Sequence, residues 1–221
     1  MLVDLVDKYL ADKQEARSKR ERSGMWSPSL FGCCHRRQYW NRLNEPVTNP
    51  PDSRALRIFY CGNLFHDFIQ GFIPDTQTEV ECKGKDILGF ADVVNGDTVY
   101  DIKSVHSRKF HYLVEKGEDV RVTENPKWLQ VATYGQILKK DNVALVFISK
   151  DDMCIKEYTD KTSNWIAPLK AELTSLRDYW SRNVLPPPQP VAYGSKKLGD
   201  KECEYCSFKN KCYEVEKHEH K

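Results

Sequence analysis

The chain has 221 residues, of which 40% are hydrophobic, and its 34 basic against 32 acidic residues leave a formal net charge of +2. That length supplies one sizeable core and excludes a second full domain, so 1–221 is expected to be a single domain. The near-neutral total neither proposes nor excludes a nucleic-acid partner. No apolar run reaches the length of a membrane span, and the acids within Met1-Leu-Val-Asp-Leu-Val-Asp interrupt the stretch a signal peptide needs, so no membrane is expected and the location reads as cytoplasmic. Eight cysteines would suggest disulfides in a secreted chain; in a reducing cytosol, clustered cysteines point to metal.

Residues 1 to about 22 read as an amphipathic helix with a highly charged second half, ending at Ser23-Gly24. Ser27-Pro28-Ser29 is a helix start that leads into Leu30 to Leu43, with Cys33 and Cys34 inside the helix. Asn44 to Asp52, with three prolines, is a loop; Ser53 to Phe72 is a helix that carries His66 and ends at Gly71 and Pro74. The period then changes. Thr78 to Cys82 alternates, and Leu88–Val94 and Thr98–Val105 flank Asn95-Gly96, a strong hairpin signal, so a β-meander is expected. After a loop around Gly117 come a helix over Pro126 to Lys140, an apolar strand over Val143 to Ile148, a strand over Cys154 to Tyr158 and a helix over Asp160 to Asn183. Pro186-Pro-Pro188 opens a loop-rich tail. Basic residues collect at Lys13 to Arg22, at Arg36, Arg37 and Arg42, and from Lys196 to Lys211. Such runs fit solvated faces as readily as a phosphate-binding footprint.

If Asn95-Gly96 is a two-residue turn, Val94 lies opposite Asp97, Asp92 opposite Val99 and Phe90 opposite Asp101. Cross-strand partners share a face, and residues 99, 101 and 103 alternate onto one, so Asp92, Asp101 and Lys103 project together. An Asp-x-Lys on an exposed strand is ordinarily just an ion pair. Two acids and a lysine in an apolar hairpin are costly unless something compensates them, and a hard divalent cation, Mg²⁺ or Mn²⁺, would. Lys103 would then orient or deprotonate a water and offset developing charge.

Gly89-Phe-Ala-Asp92, Asp101-Ile-Lys103 and Gln130-Val-Ala-Thr-Tyr134, with Gly62-Asn-Leu-Phe-His66 on the preceding helix, resemble the ordered motif set of RecB-like PD-(D/E)XK nucleases. The resemblance implies a restriction-endonuclease-like α/β core, a mixed central sheet of about four or five strands flanked by helices. It also implies that His66, Asp92, Asp101 and the main-chain carbonyl of Ile102 bind the metal, that Lys103 is catalytic with both acids, and that Gln130 and Tyr134 face the site. Asp101 stands where many members carry glutamate. Glu79 or Glu81 could add a carboxylate from the preceding strand, but alternating Glu-Val-Glu reads as the wet face of a strand and both are left outside the site.

Cys203-x-x-Cys206 followed by Cys212 has the spacing of a metal or cluster site short of one ligand. Cys33-Cys34-His-Arg-Arg-Gln-Tyr39 resembles the segment of iron–sulfur RecB-like nucleases that supplies the fourth cysteine, and alignment of Arg36, Arg37 and Tyr39 selects Cys34. The family includes the CRISPR-associated RecB-like exonucleases, the AddB nuclease domain and related phage and archaeal nucleases. The resemblance therefore implies a structural iron–sulfur cluster, 4Fe–4S favoured, in a lobe formed by 23–50 and 186–221 around a catalytic core at 53–183. On spacing alone Zn²⁺ suits four cysteines equally. Cys61, Cys82 and Cys154 read as packed thiols.

The expected activity is a metal-dependent exonuclease on single-stranded or end-frayed DNA, with Arg36, Arg37, Tyr39 and Trp40 as candidates for a strand-binding wall. No Gly-x-x-x-x-Gly-Lys-Ser/Thr is present, so unwinding would fall to a partner such as a helicase, and an integrase or replication protein is an equally open partner. Two other readings stay open: a nuclease-derived scaffold subunit of a DNA-processing complex, and a zinc-stapled DNA-binding protein.

Overall fold

The computed structural model describes residues 1–18, 22–73, 76–115, 119–188 and 202–219. The loop around Gly117, the proline Pro74, the basic residues Lys19 and Arg20, and the start of the basic tail at Lys196 to Lys201 lie outside these described residues.

A five-stranded sheet organises the fold, built from β1 (Gln77–Lys83), β2 (Leu88–Asn95), β3 (Thr98–Val105), β4 (Asn142–Ser149) and β5 (Ile155–Lys161), in the order β1-β2-β3-β4-β5. The first three strands form the expected antiparallel meander, β3 and β4 are parallel, and β5 returns antiparallel to β4. A parallel pair needs a crossover. Here it runs through α4 (Ser107–Glu115), α5 (Val120–Thr123) and α6 (Asn125–Leu138). Val143 to Ile148 of β4 is buried throughout, which explains its unbroken apolar run: helices cover both faces of the sheet. Val99, Val143, Leu145 and Phe147 pack with Trp128, Val131 and Ala132 of α6 and with Leu169, Leu173 and Leu176 of α7 (Ile166–Ser181). Val93, Ile102 and Val146 pack on the opposite side with Ile69 of α3 (Ser53–Gln70) and with Ile73. Asp52 caps α3 by accepting the Ala55 amide at 2.7 Å.

Several expectations are corrected. The first helix, α1, spans Leu2–Ser18, and Arg22 lies outside it; of its apolar face only Leu10 is buried. The helix expected over 30–43 is broken: a 3-10 turn covers Pro28–Leu30, Gly32 takes a left-handed backbone at φ +74, and α2 begins only at His35 and runs to Arg42. Cys33 and Cys34 therefore precede the helix, with Cys34 at its N-cap. The segment over 107–115, which the sequence left unassigned, is helical, with Phe110 and Leu113 on its buried face. The tail expected to be loop holds α8 (Lys209–Glu219), which includes Cys212.

The helix expected from Asp160 is displaced as well. β5 extends to Lys161, a 3-10 turn follows over Thr162–Trp165, and α7 starts at Ile166. Asp160 is the cause. Its carboxylate accepts from Arg121 Nε at 2.7 Å and Nη2 at 3.1 Å, from Asn164 Nδ2 at 2.7 Å, from Trp165 Nε1 at 3.1 Å and from the Lys161 amide at 2.8 Å. Burial opposes the charge on Asp160, but the Arg121 bonds, followed by those from Asn164, Lys161 and Trp165, outweigh it and hold the carboxyl below its ordinary value. The stability so gained is present above the ordinary aspartate pKa of about 3.9 and is lost as pH falls through the lower folded value. Asp160→Asn is expected to cost about 1–3 kcal/mol at pH 7. Thermal melts should show a drop of several degrees at pH 7, and the difference from the parent should shrink below about pH 4.

Candidate metal centre

The hairpin that carries the acids turns at Gly96-Asp97, not Asn95-Gly96. Its paired residues are Asn95 with Thr98, Val94 with Val99 and Val93 with Tyr100. The shift of two residues preserves which side chains share a face, so the expected grouping survives the wrong register. Past Val93 the ladder gives way, and Asp92 Oδ2 accepts the Ile102 amide at 2.6 Å in place of a strand partner. Asp101, from the central strand β3, is wholly buried. Its Oδ1 accepts from Lys103 Nζ at 2.9 Å, the two side chains lying two residues apart on one strand.

Two helices from opposite faces of the sheet complete the group. α3 brings His66, whose Nδ1 lies 3.7 Å from Asp92 Oδ2. α6 brings Gln130, which accepts from Lys103 Nζ at 3.4 Å and donates to the Tyr134 hydroxyl at 3.4 Å. His66, Asp92, Asp101, Ile102, Lys103, Gln130 and Tyr134 thus lie together.

The structure adds two residues. Glu79, read as part of a wet face, offers a carboxylate oxygen that falls with ligand atoms of His66 and Asp92 inside a group no more than 4.8 Å across. Its backbone is left-handed at φ +50, and the register of β1 on β2 sets it across from Asp92. Gln70 donates from Nε2 to Glu79 Oε1 at 3.0 Å and to the Asp92 carbonyl at 2.9 Å. Gln70 is one helical turn past His66, and that spacing was the available signal. For Glu79 the signal was a carboxylate on the strand just before the hairpin, outweighed by the alternation around it.

Burial first, and then the charge of Asp101, push the Asp92 carboxyl up to about 7. Burial, then the Lys103 ammonium, lower the His66 pKa, which favours the neutral imidazole that ligates metals. Burial also works against the Lys103 charge, but Asp101 and Asp92 outweigh it and the ammonium is retained. Tyr134 is pushed up by burial and by Asp101, so its hydroxyl stays a donor. Asp92 and Asp101 are buried beside one ammonium, with the exposed carboxylate of Glu79 at the rim. Asp101 Oδ2 is buried with no hydrogen-bond partner among the described residues. A carboxylate oxygen left so is costly unless a cation meets it, and the hard oxygen and imidazole donors here suit a divalent ion.

A second cluster lies apart. Cys34, Cys203, Cys206 and Cys212 line one cavity, with Arg37 and Trp40 among the surrounding side chains. Burial, followed by the neighbouring thiols of Cys34, Cys206 and Cys212, raises the Cys203 pKa. Cys33 does not line the cavity; burial, then Glu202, push its thiol up to about 12. Cys206 Sγ accepts the Phe208 amide at 3.5 Å and Cys212 Sγ accepts Arg36 Nη1 at 3.6 Å. Tyr39, Trp40 and Phe208 form a small core beside the cavity with Trp180, Leu185 and Val215. Arg36, Tyr39 and Trp40 are buried there, so these three do not form an exposed wall for a strand. Cys154 is exposed and is not a packed thiol, whereas Cys82 is fully buried.

No protein-family model and no curated protein matches the chain. Among solved structures it is similar to one titled "Crystal structure of SSO0001", at 19% identity and a TM-score of 0.54 over 94% of each chain, which shows a shared fold along nearly the whole length. Looser superpositions are found on an alkaline exonuclease, LHK-Exo, from Laribacter hongkongensis (14% identity, TM-score 0.44, 74% of this chain and 96% of that one). The same enzyme in complex with dAMP gives 15% identity and a TM-score of 0.43 over 73% of this chain and 95% of that one. No helix among the described residues is long and apolar enough to cross a membrane.

Gly89, in the motif before Asp92, is a packing position for the site. A Cβ there would come within 2.8 Å of the Tyr134 ring and hydroxyl and 3.1 Å of Pro28, and Tyr134 is itself buried. Gly89→Ala is expected to cost about 1–3 kcal/mol through overpacking. The measurement is a denaturant titration, in which the midpoint should fall with an unchanged slope.

Proposed function

We propose that this chain is a divalent-metal-dependent deoxyribonuclease of the PD-(D/E)XK kind, an exonuclease on single-stranded or end-frayed DNA, with a 4Fe–4S cluster as a structural staple. The observation that carries the reading is the wholly buried Asp101, one oxygen on Lys103 and the other without a partner, beside Asp92 and a neutral His66.

His66, Asp92, Asp101 and the Ile102 carbonyl would hold Mg²⁺ or Mn²⁺, with Glu79 as a further carboxylate. Such an ion polarises a phosphate oxygen and lowers the pKa of its bound water. Lys103 keeps its proton between Asp101 and Gln130, where it orients a water or a phosphate oxygen and offsets charge that develops on the phosphate. The Asp92 carboxylate is aimed by the Ile102 amide, and Gln130 is aimed by Tyr134. Single-stranded DNA as the substrate rests on the family resemblance of the motifs.

Cys34, Cys203, Cys206 and Cys212 would hold the cluster, joining the start of α2 to the segment around α8. Four cysteine thiolates suit a cubane cluster and a tetrahedral zinc ion alike, and the choice of the cluster rests on the family resemblance of the motifs.

With Mg²⁺ or Mn²⁺, the chain is expected to degrade end-labelled single-stranded DNA. Lys103→Ala should lower the rate by about 10²- to 10⁴-fold, and Asp101→Ala by at least as much. Intact DNA with the folded native chain and either metal would overturn the hydrolytic reading. The native protein is also expected to be brown and to contain iron, and Cys203→Ser to lose both; a colourless protein that contains zinc would replace the cluster with a zinc site.

A further inference from the structure

Beside the carboxylates lies a second group of charges that the proposed reaction leaves unused. Lys127 precedes Gln130 by three residues and Tyr134 by seven, which places all three on one face of α6. Glu124, at the N-cap of α6, is only 4% exposed. Both of its oxygens are occupied by ammonium groups. Lys109 of α4 approaches Oε1 at 2.8 Å, and Lys127 meets Oε2 in close contact. The carboxylate is covered, whereas the Lys109 and Lys127 side chains keep 38% and 26% of their surface open.

Three features point to an anion. One ammonium would suffice to neutralise Glu124, and a second leaves surplus positive charge at a partly open surface. The positive end of α6 adds to it. The group also adjoins the proposed reaction centre, because Lys127 lies one helical turn before Gln130, which accepts from Lys103 Nζ at 3.4 Å.

Building on the nuclease reading, we propose that Lys109 and Lys127, held side by side by the buried Glu124, form a phosphate-binding subsite that grips a nucleic-acid phosphate next to the one at Lys103. Lysines act on phosphate as point charges, and their long stems lose much freedom on binding. Glu124 removes that freedom beforehand by fixing both ammonium groups. The phosphate would be either an internal diester or a terminal monoester, which share the chemistry that two lysines recognise.

The test is binding of a labelled single-stranded oligonucleotide by the full chain in EDTA, over a series of salt concentrations. Lys109→Gln with Lys127→Gln is expected to weaken binding about five- to tenfold and to flatten the plot of log K against log salt by about 0.7 for each phosphate charge no longer neutralised. Equal weakening for oligonucleotides with and without 5′- or 3′-phosphate assigns an internal diester; weakening confined to one phosphorylated end assigns the monoester. Should the double variant not fold, Lys109→Gln alone, at the more open position, is expected to weaken binding about two- to threefold. Unchanged affinity and salt slope in the folded lysine variants would overturn the subsite and leave a structural ion pair. Cleavage assays with metal on the same proteins separate the two proposals. Native cleavage with unchanged binding in the variants rejects only the subsite, and weakened binding without native cleavage rejects only hydrolysis.

Discussion

Asp101 is a carboxylate buried in the central strand of a sheet covered on both faces, and the arrangement around it follows from that charge. Transfer of a lone carboxylate into such surroundings costs several kcal/mol even after relaxation, so the protein must supply compensation there. Lys103 provides part of it from the same strand. Its Nζ is in turn held by Gln130 across the layer, which ties α6 to β3 by polar contact as well as by the apolar packing of Trp128, Val131 and Ala132. The remaining oxygen of Asp101 has no hydrogen-bond partner among the described residues, and Asp92, His66 and Glu79 gather metal-ligating atoms in the same site.

The same constraint accounts for the local irregularities. A regular β2–β3 ladder would spend the Ile102 amide on a strand partner; here the amide goes to Asp92, and the strands part where the site lies. The left-handed backbone of Glu79 interrupts β1 at the neighbouring point, and Gln70 holds the carboxylate that results. Backbone of this kind is kept where the surroundings over-determine it, which is the usual condition of functional sites. The cysteine region, by contrast, is stabilised by its own small core around Trp40 and Phe208. Nearby, the Arg42 guanidinium is stacked between Trp26 at 4.5 Å and Trp180 at 4.2 Å.

Much of the fold was legible where patterning is strong. The meander, the apolar strand at 143–148, the helix bearing His66 and the helix bearing Gln130 all follow from periodicity and turn chemistry. Misreadings cluster where a tertiary contact overrides a local signal. Asp160 looks like a helix cap, yet its carboxylate is committed to Arg121 far away in sequence, and the helix starts later. Leu30 to Leu43 has helical composition, yet Gly32 turns the chain so that Cys34 reaches the other cysteines. Asn95-Gly96 is a strong turn signal, but the adjacent Gly96-Asp97 forms the turn; since the error is two residues, no side chain changes face.

The sequence by itself determined the chemical inventory and its order along the chain: paired acids and a lysine at strand spacing, a histidine on the helix before them, a glutamine and tyrosine one turn apart on the helix after, and four cysteines in two groups. Periods of 2 and 3.6 residues are local properties, so they decide which side chains share a face before any packing exists. Only the tertiary structure decided which faces meet. The parallel pairing of β3 with β4 sets the crossover that carries α6 over the hairpin, and the breaks in β1 and β2 bring Glu79 and Asp92 to His66. Lys109, Glu124 and Lys127 come together across two helices for the same reason. Contacts between distant segments arise from burial and charge compensation in the assembled core, which no local pattern encodes.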